Sequence, residues 1–286
     1  MKLSILCVIS AACLAAVVAF SQGDYTPAPR TSSFQHVIVI FQENRTPDNL
    51  FYALCATQSC STDPNSSQYN IQTTGWANLK SGPTTPTPVA LANTYDLSHA
   101  HSAFNDMCDV DPKTGECRMD GAINIPCSPD KNTTCPKNPQ YKYVDNSTGT
   151  IQPYLDLATQ YGWANYMFQT NQGPSFPAHQ FIFGGTSAPS AADDAIGTFA
   201  SENMSNTGVS GTSATAGCIA PIDTTVQLVN SAGVEDPGQK IYPCFEHKTI
   251  PDVLPSSVSW RYYTPSEGSI WTAPDAIDHP AEIDGV

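Results

Sequence analysis

Paired cysteines constrain this chain more than any other feature of it. Ten are present, and two of them, Cys7 and Cys13, lie in an apolar leader. The others are Cys55, Cys60, Cys108, Cys117, Cys127, Cys135, Cys218 and Cys244. An even set in an exported chain reads as a disulfide framework, although eight cysteines allow 105 connectivities. The short spacings favour local staples: Cys55 with Cys60, Cys108 with Cys117, Cys127 with Cys135, and Cys218 with Cys244. A metal site is the rival reading. No CxxC pair occurs, however, and most of these cysteines have no histidine within a few residues.

The leader supports export. Met1-Lys2 gives a positive start, Ile5 to Phe20 is apolar apart from Ser10, and Ala19-Phe20-Ser21 allows cleavage before Gln22. Residues 1–21 therefore read as a secretory signal peptide, which places the mature chain in the periplasm or outside the cell. The run is short for a membrane span, and no later segment is long and apolar enough to serve as one. Charge narrows the partners further. Asp and Glu number 26 against 12 Lys and Arg, for a net charge of -14. Such a chain lacks the basic face that nucleic acid or anionic lipid requires.

No internal repeat is visible. His36-Val37-Ile38-Val39-Ile40-Phe41 is β-branched without alternation, as in a strand buried on both faces of a parallel sheet. Residues 55–95 read as loop, and 105–150 as a disulfide-tied excursion. Pro153 to Phe168 has helical spacing, residues 200–217 form a small-residue loop, Ile250–Leu254 is a short helix and Val258–Tyr263 a strand. Strands alternating with helices imply an α/β fold with long loops.

Three clusters carry chemistry. The apolar run at 36–41 ends in Gln42-Glu43-Asn44, and ligands of α/β sheets bind beyond the carboxyl ends of strands. Glu43 and Asn44 offer a carboxylate and an amide oxygen, donors that suit a hard divalent cation. The same residues would also serve to cap the next helix, with Asp48 paired to Arg45. In Asn171-Gln172-Gly173-Pro174-Ser175, a turn delivers Ser175 to the start of a helical segment. A hydroxyl there sees backbone N–H groups that favour a bound phosphate, though it also suits a plain helix cap. In Asp96-Leu97-Ser98-His99-Ala100-His101, either histidine suits proton transfer or a phosphoryl oxygen, and either suits a solvated loop.

Taken together and in order, these blocks carry a resemblance. HVIVIFQENRTPDNLF, DLSHAHSAF with MDGA, GPSFPAHQFIFGGTSAPS and SWRYYTPSEGSIWTAPDAI resemble successive motifs of the bacterial phosphoesterase family of non-specific phospholipases C and acid phosphatases. The resemblance runs from about residue 34 to the end of the chain. It implies a three-layer, alkaline-phosphatase-like α/β domain with disulfide-tied loops. It also implies a phosphoester substrate (a phosphomonoester or a phospholipid head group) and a divalent metal ion. Glu43, Asn44 and Ser175 match metal ligands, Ser175 is also the nucleophile, and His99 matches the substrate-contacting histidine, with His101 second. Phospholipase C-like relatives often carry Thr at the nucleophile position, so Ser leans toward the acid phosphatases.

One block departs. The family supplies further ligands through a motif like DDxGGFYDH after the WRYY block, and nothing of that form follows Tyr263. The expectation is that residues 22–286 are the N-terminal part of such a domain, its C-terminal portion missing. Three oxygens are few for a hard cation that takes about six. Two functions follow: an exported metal-assisted phosphoesterase, or a catalytically incomplete exported binding module.

Overall fold

The structure, a computed structural model, describes residues 34–278 and divides the chain into a unit ending at Glu43 and a second running from Asn44 onward. The signal peptide expected over residues 1–21 lies outside the described residues. In the first unit, residues 34–43 form neither helix nor strand, and their apolar side chains are exposed, Ile38 at 83% and Ile40 at 86%. The buried strand expected over His36–Phe41 is not formed. A strand apolar on both faces exists only where neighbours pair with it and cover it, and β-branching alone does not supply them.

The second unit starts with α1 (Pro47–Leu50), whose N-cap Thr46 accepts a hydrogen bond from the Asn49 N–H at 3.2 Å. A 3-10 turn over Tyr52–Ala56 follows. Leu50 and Leu54 then enter a core with Ile71, Val144, Ile151, Leu155 and Ala158. Two short strands come next, β1 (Thr87–Val89) and β2 (Tyr95–Leu97), then α2 (His101–Cys108), β3 (Cys127–Pro129) and β4 (Lys142–Val144). β1 pairs in parallel with β4, and β2 antiparallel with β3.

The helix α3 spans Gln152–Gln160 and stops well before Phe168. Gly162 lies just past its end, where glycine disfavours continuation. The departing chain turns Trp163 inward, edge-on to Phe51 with ring centroids 4.7 Å apart. After it come α4 (Ser175–Gly184), α5 (Ala191–Ile196), β5 (Phe199–Ala200), the β6–β7 hairpin (Ser205–Asn206, Val209–Ser210), β8 (Val226–Val229), β9 (Glu235–Ile241) and α6 (Ile250–Val253). β5, β8 and β9 make an antiparallel three-stranded sheet. Among the described residues the sheets have two or three strands, so mixed α and β structure is present, while β1–β4 is the one parallel pair.

The helix α4 is the most enclosed. Phe176, Pro177, His179, Gln180 and Phe183 are buried. Phe176 meets Phe245, Val226, Met204 and Ile270 in the second core. Trp260 and Tyr262 pack on Phe183, with centroids 5.8 and 5.7 Å away. The segment 258–263, expected as a strand, forms none. Its alternation is real, but Trp260 and Tyr262 are half-buried against a helix, and the Tyr262 hydroxyl donates to the Trp271 carbonyl at 2.9 Å.

The four pairings expected from cysteine spacing are all present: Cys55–Cys60, Cys108–Cys117, Cys127–Cys135 and Cys218–Cys244. Among the described residues no helix is long and apolar enough to cross a membrane.

Gly184, the last residue of α4, sets the helix against His247: a Cβ there would stand 2.5 Å from the ring Cε1. Alanine in a helix ordinarily gains up to about 1 kcal/mol over glycine. Gly184→Ala is instead expected to cost about 1–3 kcal/mol through overpacking, read by urea denaturation.

Candidate functional site

Ser175 is the first residue of α4, and the loop before it is pinned from several sides. The Asn171 side-chain amide donates to the Gly173 carbonyl at 2.8 Å. Gly173 lies against the Ser201 carbonyl so closely that a Cβ would come within 2.1 Å of that oxygen. Only glycine fits. Pro174 is the N-cap, in extended backbone, and has no N–H to satisfy. The Phe176 N–H donates to Asn203 Oδ1 at 2.9 Å, so a side chain distant in sequence caps the helix. Among the described residues nothing hydrogen-bonds the Ser175 hydroxyl.

Beside this helix start is a cavity of about 500 Å³, lined among others by His99, Asp96, Pro174, Glu202, Asn203 and Lys240. His99 sits between β2 and α2, its Nε2 3.2 Å from Asp96 Oδ1. That bond holds the Asp96 carboxyl below the usual carboxylate range, against the upward push of partial burial. Glu202 shifts the other way, because burial and the charge of Glu235 raise it while the hydrogen bond from the His101 N–H pulls it down. The cavity wall thus carries two groups able to bear positive charge, His99 and Lys240, between two carboxyls.

His101 is placed differently. It is 2% exposed, and both ring nitrogens face backbone carbonyls: Nδ1 is 2.8 Å from the Gln172 oxygen and Nε2 3.0 Å from that of Gly233.

Glu43 is the last residue of the first unit and Asn44 the first of the second. Asn44 is left-handed, with φ at 66°, a region asparagine tolerates better than most residues. The capping duty that would explain Glu43 and Asn44 belongs to Thr46 instead. Nor does Asp48 pair with Arg45. Arg45 donates to the Leu91 carbonyl at 2.6 Å, and Asp48 accepts from the Gln72 N–H at 2.8 Å. Burial raises the Asp48 carboxyl, and that bond opposes the rise.

By donor type alone, a carboxylate, an amide carbonyl and a hydroxyl fit a hard divalent cation; Glu43 belongs to the first unit, and Asn44 and Ser175 to the second. The grouping of Cys218, Cys244 and Asp278 does not, because its two sulfurs are bonded to each other and supply no thiolate.

The sequence reading missed Glu202, Asn203 and Lys240. The 200–217 stretch carries few apolar residues and so has no periodicity to read. What Asn203 does depends on a contact 27 residues away, which no local pattern encodes.

A model of the Phosphoesterase family matches residues 34–278. The chain belongs to that family, and it is a hydrolase acting on phosphoester bonds. No curated protein and no solved structure matches it.

Asn203→Ala leaves the Phe176 N–H unpaired at a half-buried site. The expected cost is about 1–3 kcal/mol of stability in thermal or urea unfolding. Asn203→Asp, which keeps the acceptor, recovers most of it.

Proposed function

We propose that this chain is an exported, metal-assisted phosphoesterase of the phospholipase C and acid phosphatase type, with Ser175 as nucleophile. The observation that carries the reading is the placing of Ser175, its hydroxyl unengaged, at the start of a buried helix beside a cavity lined by His99. Four disulfides and the leader sequence support export. The ordered motifs support a three-layer, alkaline-phosphatase-like arrangement.

Chemistry follows from charge. A divalent cation held by the oxygens of Glu43, Asn44 and Ser175 would neutralise charge at phosphorus and acidify the serine hydroxyl. Ser175 Oγ, its proton released to solvent, bonds to phosphorus as the bond to the leaving alkoxide breaks. Of the first backbone groups of α4, the Ser175 N–H is the one left to a phosphoryl oxygen, since that of Phe176 is held by Asn203 and Pro177 has none. His99, steadied by Asp96, gives the alkoxide its proton. Water then attacks the phosphoserine, passing its proton to His99, and Ser175 is restored with a proton from solvent. Serine rather than threonine as nucleophile favours monoesters.

The test is turnover of p-nitrophenyl phosphate and p-nitrophenyl phosphorylcholine by the disulfide-bonded chain, with and without chelator. Expected are hydrolysis of the monoester above the diester, loss on chelation, and a fall of about 10³-fold or more in Ser175→Ala. His99→Ala is expected to lose about 10²- to 10⁴-fold. Undiminished turnover in Ser175→Ala overturns the assignment of the nucleophile.

A further inference from the structure

His101 meets two acceptors and offers a neutral ring's single donor. The carbonyl oxygens of Gln172 and Gly233 can only accept, and a neutral imidazole carries one N–H. In the neutral form one ring nitrogen would point a lone pair at a carbonyl oxygen about 3 Å away, from a ring that is 2% exposed. The doubly protonated ring satisfies both contacts. We infer that His101 is a positioning residue for Ser175, its imidazolium clamping the Gln172 carbonyl of the nucleophile loop to the Gly233 carbonyl at the β8–β9 turn.

Glu202 Oε1 accepts the His101 backbone N–H at 2.7 Å, and the carboxyl and the ring act on each other electrostatically. Glu235 is a second carboxylate, acting on Glu202 and hydrogen-bonded by Ser201 on the segment that Gly173 rests against. Phe104, one turn along α2, lies nearly parallel to the imidazole with centroids 6.5 Å apart. A cavity of about 260 Å³, lined by His101, Asn171, Gln172 and Gly233 among others, gives the loop somewhere to go once a tie is lost. When the ring gives one proton to solvent, one of the two carbonyls loses its donor. The loop that ends at Ser175 is then held from one side fewer.

The inference rests on the proposed function only in naming Ser175 as the group positioned. Its first measurement needs no activity: pH titration of the ¹⁵N-labelled full chain, following the His101 ring nitrogens and the backbone amides of Gln172, Gly173 and Gly233. Expected are two protonated ring nitrogens at acidic pH, and loop amides that shift with the same midpoint as the ring. In Glu202→Gln, which keeps an acceptor but removes a carboxylate, that midpoint moves to lower pH. The second measurement is the kinetic pH profile. His101→Gln, whose one donor nitrogen serves one of the two carbonyls at every pH, is expected to lower kcat about 10- to 100-fold with little change in KM, and to lose the alkaline fall that coincides with ring titration. A ring that keeps a single proton throughout, or loop amides indifferent to its titration, overturns the clamp. A wild-type pH profile in His101→Gln overturns its role in positioning. If instead Ser175 proves not to be the nucleophile, the spectroscopic result stands unaltered.

Discussion

Gly173 touches the Ser201 carbonyl where no other residue would fit, and the arrangement around Ser175 is built on that approach. It fixes the loop entering α4 to the segment that leaves β5. The same segment then supplies Asn203 to the N–H of Phe176 and Glu202 to the backbone of His101. One close contact between backbones thus brings together residues from three stretches of chain. Its strength is steric, since a backbone carbonyl cannot swing aside as a side chain does.

The parts of this molecule that were legible in its sequence are those set by near neighbours. Local cysteine spacing predicted all four bridges, because closing a short loop costs little entropy. The segment after Gly173-Pro174 and the stretch from Ile250 formed helices as expected. What failed depended on distant partners. Val37–Phe41 has the composition of a doubly covered strand but stands exposed, while the alternation at Trp260 and Tyr262 serves α4 instead of a sheet. The helix from Gln152 ends early because Trp163 is needed against Phe51 and Tyr69. The same division holds in the site. Ser175, His99 and His101 were visible as motifs, but their supports at 202, 203 and 240 were not.

Electrostatics sets a second constraint. A chain of net charge -14 repels an anionic ester at long range, so capture must act over distances shorter than the screening length of about 8 Å in physiological salt. His99 and Lys240 border the cavity within a wall that also holds Asp96 and Glu202. On the proposed reading, such a site would attract a phosphoryl group only at close quarters. That suits a small ester reaching the cavity by diffusion better than a polyanion drawn in by a broad field.

The order of the bridges has a consequence for biogenesis. Each cysteine of the described chain is joined to the next in sequence, and no bridge spans another: 55 to 60, 108 to 117, 127 to 135, 218 to 244. If exported as proposed, the chain would be threaded amino-terminus first into an oxidising compartment and would present these thiols two at a time. When the second of a pair emerges, its predecessor is the one reduced thiol already across. Correct oxidation then needs neither a finished fold nor a disulfide isomerase, and the pairing is secured by the direction of travel.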